Sequence, residues 1–110
     1  MSFADCENPK TQLEMNMCSA ENLSSLNTHL DQLMKNYSAN LGEEQRVLFQ
    51  DSQKAWQLHR DKYCEFRASG VVGGSSYPLV LNHCLSQETE DRISKIEELF
   101  KCPEGDLSCP

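Results

Sequence analysis

The chain has 110 residues, of which 38% are hydrophobic and 25% are charged, a composition typical of one soluble globular domain. Ten basic residues against 17 acidic ones give a formal net charge of −7, which argues against nucleic acid or an anionic membrane surface as the main partner. No apolar run is long enough to span a membrane, so we expect no membrane insertion.

The first residues resemble the end of a secretion signal. Ser2 and Ala4 place small residues three and one positions before Asp5, the spacing that a signal peptidase prefers. The charged and apolar regions of a signal peptide are absent, which favours a mature secreted form with residues 1–5 as a residual leader. An ordinary frayed terminus is the alternative.

The first predicted helix begins at Thr11, where Thr11 and Glu14 have the spacing of a capping box. It continues along one apolar stripe whose members recur in steps of three and four, and it ends at Gly42, expected as a left-handed cap. The stripe comprises Leu13, Met17, Leu23, Leu26, Leu30, Leu33, Tyr37 and Leu41.

A second helix is predicted from Glu43 to Ala68, and a third from Leu85 to Lys101. The inner face of the second is expected to contain Leu48, Ser52, Ala55, Trp56, His59, Tyr63 and Phe66. Glycines and Pro78 punctuate the segment between these helices, residues 69–84, which predicts a long loop. The third helix should turn Ile93, Ile96, Leu99 and Phe100 inward.

These elements predict an all-α fold, a long antiparallel helical hairpin with a third helix packed across it and disulfides linking the parts. We expect a three-helix domain at residues 6–101. A disulfide-closed tail at residues 102–110 should follow, with a turn at Pro103, Glu104, Gly105 and Asp106.

Six cysteines in so short a chain predict disulfides and an oxidising compartment, either a periplasm or the exterior. A zinc site is the alternative, but no CxxC pair occurs, so we expect no metal. Six cysteines allow many pairings. Their positions relative to the helices favour Cys6–Cys18, Cys64–Cys84 and Cys102–Cys109.

The sequence offers little for catalysis. Motifs for a hydrolase nucleophile, a zinc protease, a phosphate loop or a dinucleotide fold are missing, and nothing predicts a cofactor. The adjacent acids Glu43-Glu44 and Glu97-Glu98 point apart on a helix and are expected to be solvated. We therefore predict a protein that is not an enzyme.

Four residues are expected to form a structural clamp between the second and third helices. Trp56 and Arg60 stand four apart, so the guanidinium can lie over the indole. Asp61 follows, and Arg92 of the third helix is expected to pair with it. Direct contact with a ligand is the alternative role for this cluster.

The glycine-rich loop is the predicted partner-binding site. A loop closed by a disulfide is preorganised, which lowers the ordering cost of binding. Its candidate contact residues are Gly73, Gly74, Ser75, Ser76 and Tyr77. Glu88, Glu90 and Asp91 are expected to open the third helix beside it and to steer a cationic protein toward it. The alternatives are a loop that only connects helices and acids that only complement a helix dipole.

Taken together, these residues resemble the LprI-type lysozyme-inhibitor family. The match covers roughly residues 6 to 99. It rests on Cys6, the run TQLEMN at 11–16, Cys18, Leu26-Asn27, QKAW at 53–56, Arg60-Asp61, Cys64, GGS at 73–75, Cys84, Thr89 and Arg92. The resemblance implies a small secreted or periplasmic helical domain, some relatives of which inhibit lysozyme.

Two features depart from the family pattern. The family often has an acid before its Leu-Asn pair and a Tyr three residues after it, where this chain has Leu23, Ser24 and Leu30. Cys102 and Cys109 are additions to a four-cysteine core.

The leading hypothesis is a periplasmic or secreted protein that inhibits a cationic peptidoglycan-cleaving enzyme such as lysozyme by loop occlusion. One alternative is an immunity protein against a single secreted toxin of competing bacteria. Another is an envelope-stress or structural protein without an enzyme target.

Overall fold

A computed structural model of the protein describes residues 6–103 and 105–110. Three long helices follow one another: α1 is Gln12–Ser38, α2 is Glu43–Arg67 and α3 is Tyr77–Phe100, with a short 3-10 turn at Ser69–Val71. This confirms the all-α fold class. The expected leader, residues 1–5, and Glu104 of the expected C-terminal turn lie outside the described residues.

The start of α1 has the predicted capping residues. The Thr11 hydroxyl accepts a hydrogen bond from the Glu14 N–H at 3.0 Å, and Thr11 has the extended backbone of an N-cap. The Glu14 carboxylate accepts from the Lys10 N–H at 2.9 Å, one residue before the position used in a standard capping box. Side chains therefore fix the first turn of α1.

The end of α1 differs from the prediction. Gly42 has φ −67° and is the N-cap of α2, so it is not the left-handed cap that the sequence predicts. α1 ends at Ser38, and the Arg46 guanidinium donates to the carbonyls of Ser38 (3.2 Å) and Leu41 (3.0 Å). Because a cation from the next helix partners these carbonyls, the helix end needs no glycine cap.

α3 begins at Tyr77, earlier than the predicted start at Leu85. Pro78 lies in the first turn, where a missing N–H costs no helical hydrogen bond and the fixed φ suits the helix. The neighbouring glycines favour a loop at Pro78, whereas in the structure Pro78 marks the start of a helix. Residues 77–84 are therefore the first two turns of α3.

The helices pack around a small apolar core. Asn16 bonds to Ser75 at one end of the molecule and Tyr37 contacts Phe100 at the other, so α1 and α3 run parallel and α2 runs antiparallel to both. The most extensive helix packing is between α1 and α3. The buried core cluster is Leu30, Ile93 and Ile96, surrounded by Leu26, Leu33, Met34, Phe49 and Trp56.

α2 turns a different face inward from the one predicted. Leu48 and Phe66 are 69% and 72% exposed, and the buried residues of α2 are Arg60 and Cys64. Apolar periodicity predicts the wrong face because the buried residues of α2 are an arginine and a disulfide-bonded cysteine, neither of which such a pattern includes. Five of the seven residues predicted to face inward are exposed: Leu48, Ser52, Ala55, His59 and Phe66.

Three disulfides link the six cysteines in the arrangement that their positions favour: Cys6–Cys18, Cys64–Cys84 and Cys102–Cys109. The first joins the segment before α1 to that helix. The second joins the last turn of α2 to the second turn of α3, and its Cys64 is fully buried. The third closes the C-terminal tail.

The C-terminal tail contains a tight turn. Gly105 has φ 90°, a left-handed conformation that suits glycine. The Asp106 carboxylate accepts from the Ser108 hydroxyl at 2.7 Å and from its N–H at 2.9 Å, and these bonds lower the pKa of Asp106 below its usual value. Within the described residues, no helix has both the length and the apolar character that crossing a bilayer requires.

We expect the Cys64–Cys84 disulfide to contribute more stability than Cys102–Cys109. Its 20-residue separation restricts the unfolded chain more than the seven-residue separation of the terminal disulfide does. Replacing Cys64 and Cys84 with Ala should lower the free energy of unfolding by about 2–4 kcal/mol. The Cys102/Cys109 double variant should lose about 1 kcal/mol less. Urea unfolding followed by circular dichroism measures both losses, and equal losses would contradict this ranking.

Candidate functional site

The candidate site is the loop between α2 and α3, residues 68–76, which we call the crossover loop. Its first residue, Ala68, is fully buried and roots the loop in the core. Its centre lies in solvent: Val72 is 69% exposed, and Gly73, Gly74 and Ser75 are also exposed. The loop is therefore attached at its base and free for contact at its apex.

Backbone hydrogen bonds give the crossover loop a defined shape. Three successive bonds run from the Val71 N–H to the Ala68 carbonyl (3.1 Å), from Gly74 to Val71 (3.0 Å) and from Tyr77 to Gly74 (3.3 Å). Gly73 has φ 82°, a conformation that a residue with a side chain adopts only with strain. The loop is thus a sequence of closed turns.

Two further links fix the crossover loop to the helices. The Cys64–Cys84 disulfide joins α2 and α3 at its base. The Asn16 side-chain amide of α1 donates to the Ser75 carbonyl at 2.9 Å. The loop is attached to all three helices, so little conformational entropy remains to be lost when a partner binds.

The exposed apex of the loop contains fewer residues than the predicted contact set. Gly73, Gly74 and Ser75 are exposed on it, whereas Ser76 and Tyr77 are partly buried where α3 begins. Asn16 is a positioning residue that the site prediction missed. It lies in the run used for the family resemblance, but a contact across 59 residues leaves no local sequence pattern.

The predicted acidic residues do not open α3. Because the helix starts at Tyr77, Glu88, Glu90 and Asp91 lie about 16–21 Å along its axis, beyond the reach of the N-terminal dipole. Glu88 and Asp91 share one side of α3 and line a groove with Trp56 and His59. Glu90 is exposed outside that groove.

A second groove, of about 450 Å³, connects the start of α3 with Glu88. The Tyr63 hydroxyl accepts a hydrogen bond from Arg67 at 3.1 Å, and the His59 ring stacks on the Tyr63 ring with centroids 5.9 Å apart. The residues that line this second groove include Tyr63, Arg67, Leu79, Val80, His83 and Glu88. One continuous surface therefore runs from the base of the crossover loop to Glu88.

Two guanidinium groups lie close to the Trp56 ring. Arg60 is 5.1 Å and Arg92 is 5.7 Å from the centroid of the indole ring. The predicted Arg92–Asp61 pair is wrong, because Asp61 instead bonds to Arg60 of its own helix at 2.9 Å. Arg92 donates to the Gln53 side chain at 2.9 Å, and burial lowers the pKa of Arg92.

The buried Arg60 guanidinium connects all three helices. It donates to Asn27 of α1 at 3.1 Å and to Thr89 of α3 at 3.2 Å, in addition to Asp61. The Thr89 hydroxyl donates to the Leu85 carbonyl at 2.7 Å, so its oxygen remains free to accept from Arg60. The sequence pattern alone predicts no structural role for Asn27 or Thr89. For Thr89 the available signal is its position four residues before the inward Ile93.

One cluster has the composition of a metal site. Ligand atoms of Cys102, Asp106 and Cys109 lie within 4.8 Å of one another. The two sulfurs are bonded to each other, so they are not thiolate ligands, and a single exposed carboxylate remains. This cluster is a disulfide-closed turn.

Comparison with known proteins identifies the family. The sequence profile of the family described as "Lysozyme inhibitor LprI" matches residues 4–96. The chain belongs to the LprI family. It is also similar to an uncharacterized protein of Rhizobium meliloti (strain 1021), with 23% identity over 114 residues that cover 92% of this chain and 82% of that protein. No solved structure matches the chain.

The LprI match confirms the resemblance seen in the sequence. It spans two of the three disulfides, the Arg60 contacts and the entire crossover loop, while Cys102–Cys109 lies beyond it. The family is one of inhibitors, which fits a protein without an enzymatic role. The candidate site thus lies within the part that this LprI protein shares with its family.

We expect Gly73 to be needed for the loop conformation. Replacing Gly73 with Ala adds a methyl group that meets no atom within 4 Å, but its φ of 82° strains any side chain. The free energy of unfolding should fall by about 1–2 kcal/mol. Gly70→Ala is the matched control, since its site is also open and its φ is not left-handed; it should be neutral or slightly stabilising. Equal effects of both variants in urea unfolding would contradict this expectation.

We expect Arg60 to be the most important polar contributor to stability. Arg60→Met leaves Asn27 without the guanidinium donor and separates Asp61 from its cation, which should cost about 2–3 kcal/mol of unfolding free energy. Arg67→Met on the exposed side of the same helix is the control and should cost less than about 1 kcal/mol. Thermal and urea unfolding compare the two, and a control loss as large as that of Arg60→Met would refute the assignment.

Proposed function

We propose that the protein is a periplasmic or secreted inhibitor of a peptidoglycan-cleaving enzyme such as lysozyme. The observation that carries the proposal is the crossover loop, which is exposed and attached to three helices in a chain of the LprI lysozyme-inhibitor family. The loop occupies the substrate cleft of the enzyme and excludes the glycan.

The apex of the crossover loop suits insertion into a cleft. Gly73, Gly74 and Ser75 have little or no side chain, so the backbone can approach the walls of the cleft closely. The apex is also rigid, which limits the entropy lost on binding. Ser75 and Ser76 offer hydroxyl groups for hydrogen bonds that replace those of the substrate.

The acidic charge of the chain favours a cationic enzyme. A net charge of −7 attracts a basic protein at long range and raises the association rate. Glu88 and Asp91 lie on α3, away from the end of the molecule that carries the loop apex. A standard interface of about 800 Å² per partner is about 30 Å across. With the apex at its centre such an interface reaches about 15 Å, so Glu88, about 16 Å along α3, lies near the cleft rim and can pair with a basic residue there. Asp91, about 21 Å along, and Glu90 contribute mainly to the overall field.

The clamp of Trp56, Arg60, Asp61 and Arg92 has a positioning role in this proposal. Arg60 lies one helical turn before Cys64, whose disulfide fixes the base of the crossover loop. The clamp keeps α2 and α3 at the spacing that the loop requires and does not touch the enzyme.

The disulfides support a periplasmic or extracellular location. All six cysteines lie among the described residues, and all are paired. Such a disulfide-rich small domain persists in an oxidising compartment.

We predict that the oxidised protein inhibits the lysis of cell walls by at least one lysozyme at micromolar concentration or below. The informative variant is Ser75→Lys, because it places a cation on the apex while the backbone contact with Asn16 uses only the Ser75 carbonyl. Ser75→Lys should raise the inhibition constant at least tenfold, about 1.4 kcal/mol, through repulsion from a cationic enzyme.

Gln50→Lys on the exposed surface of α2 is the control, since it changes the net charge by the same amount about 25 Å from the end of α2 that leads into the loop. It should change inhibition less than threefold. A lack of inhibition across lysozymes of several structural types would reject the proposed function. Specific capture of one bacterial toxin in their place would support the immunity-protein alternative.

A further inference from the structure

We propose that Leu13, beside the crossover loop, and Val72, within it, form a pair of apolar anchors that enter the enzyme cleft together with the loop apex. This inference rests on the proposed function and deepens it, because it assigns the contact residues of the same surface. Leu13 is 67% exposed and Val72 is 69% exposed, although both are large apolar residues.

The two anchors lie at the same end of the molecule. The Asn16 side chain contacts Ser75 at 2.9 Å, and Leu13 is one turn before Asn16 on the same side of α1. Val72 is three residues before Ser75, inside the turn closed by the Gly74–Val71 hydrogen bond. Leu13 and Val72 therefore lie at the same end of the molecule as the Asn16–Ser75 contact.

Both anchors are held rigidly. The Thr11 cap and the Cys6–Cys18 disulfide fix the turn that carries Leu13. The turns of the crossover loop fix Val72. Single exposed apolar residues are common on protein surfaces. Two that are preorganised beside a candidate binding loop have the character of interface anchors, which cluster at the centre of a contact.

The charge pattern points to the chemistry of the partner surface. The crossover loop, residues 68–76, contains no charged residue, whereas Glu88 and Asp91 lie farther along α3. An uncharged loop surrounded by charged residues of both signs, with Lys10 and Glu14 near Leu13 and Arg67 before the loop, is the arrangement of a protein interface with a polar rim. The matching surface is a cleft with apolar subsites for sugar rings at its centre and basic residues at its rim.

The test compares three leucine or valine substitutions in the full-length oxidised protein. Leu13→Ser and Val72→Ser remove one anchor each, and Leu58→Ser is the matched control because Leu58 is 62% exposed on α2. Affinity for a lysozyme that the wild-type protein inhibits is measured by isothermal titration calorimetry. Each anchor variant should bind at least tenfold more weakly than wild type, and the control should bind within twofold.

Each outcome decides the inference. Unfolding curves verify that the variants fold, and Leu13→Met, which keeps an apolar side chain, should retain binding within threefold. If the wild type inhibits a lysozyme and Leu13→Ser or Val72→Ser binds as well as the control, the anchor assignment is wrong while the proposed function stands. If the wild type inhibits no lysozyme, the proposed function fails and the anchors fail with it.

Discussion

The arrangement of the three helices depends on the hydrogen bonds of one buried side chain, the guanidinium of Arg60. It bonds to Asn27 of α1, Asp61 of α2 and Thr89 of α3, and it lies over Trp56. The apolar core is small, because its main cluster has three buried members among the described residues. Because a buried charge is costly unless its donors are partnered, only an alignment that supplies all these partners accommodates Arg60. The network therefore selects one packing of the helices.

This packing positions the crossover loop. Cys64 is one turn beyond Arg60 on the same side of α2, and its disulfide to Cys84 carries the alignment to the loop base. The Asn16–Ser75 hydrogen bond then joins the loop to α1. The spacing between α1 and α3 is also set by Arg60, which bonds to both Asn27 and Thr89. A loop without charged or large polar side chains is thus held by residues outside it, which leaves its own short side chains available for a partner.

The sequence predicted the existence and type of all three helices, the α1 cap and a disulfide arrangement that matches the structure. It failed where a long-range contact replaced a local signal. Arg46 from the next helix partners the end of α1, so Gly42 is not needed as its cap. The predicted inner face of α2 is wrong because the buried residues Arg60 and Cys64 do not belong to the apolar pattern used to predict it. Pro78 was interpreted as a loop residue, although proline is also common in the first turn of a helix.

The position of Pro78 also changes how the acidic residues can act. Because α3 starts at Tyr77, Glu88 and Asp91 are separated from the loop apex. Direct contact at the apex and electrostatic attraction by the acids therefore involve different parts of the surface. Long-range attraction mainly raises the association rate, whereas a buried apolar and hydrogen-bonded centre slows dissociation. In the inhibitor that we propose, this division keeps the uncharged apex free to match the sugar-binding cleft of the enzyme. The conformation of the loop is then independent of the charge on the outer surface, since the Arg60 contacts that position the loop lie inside the bundle.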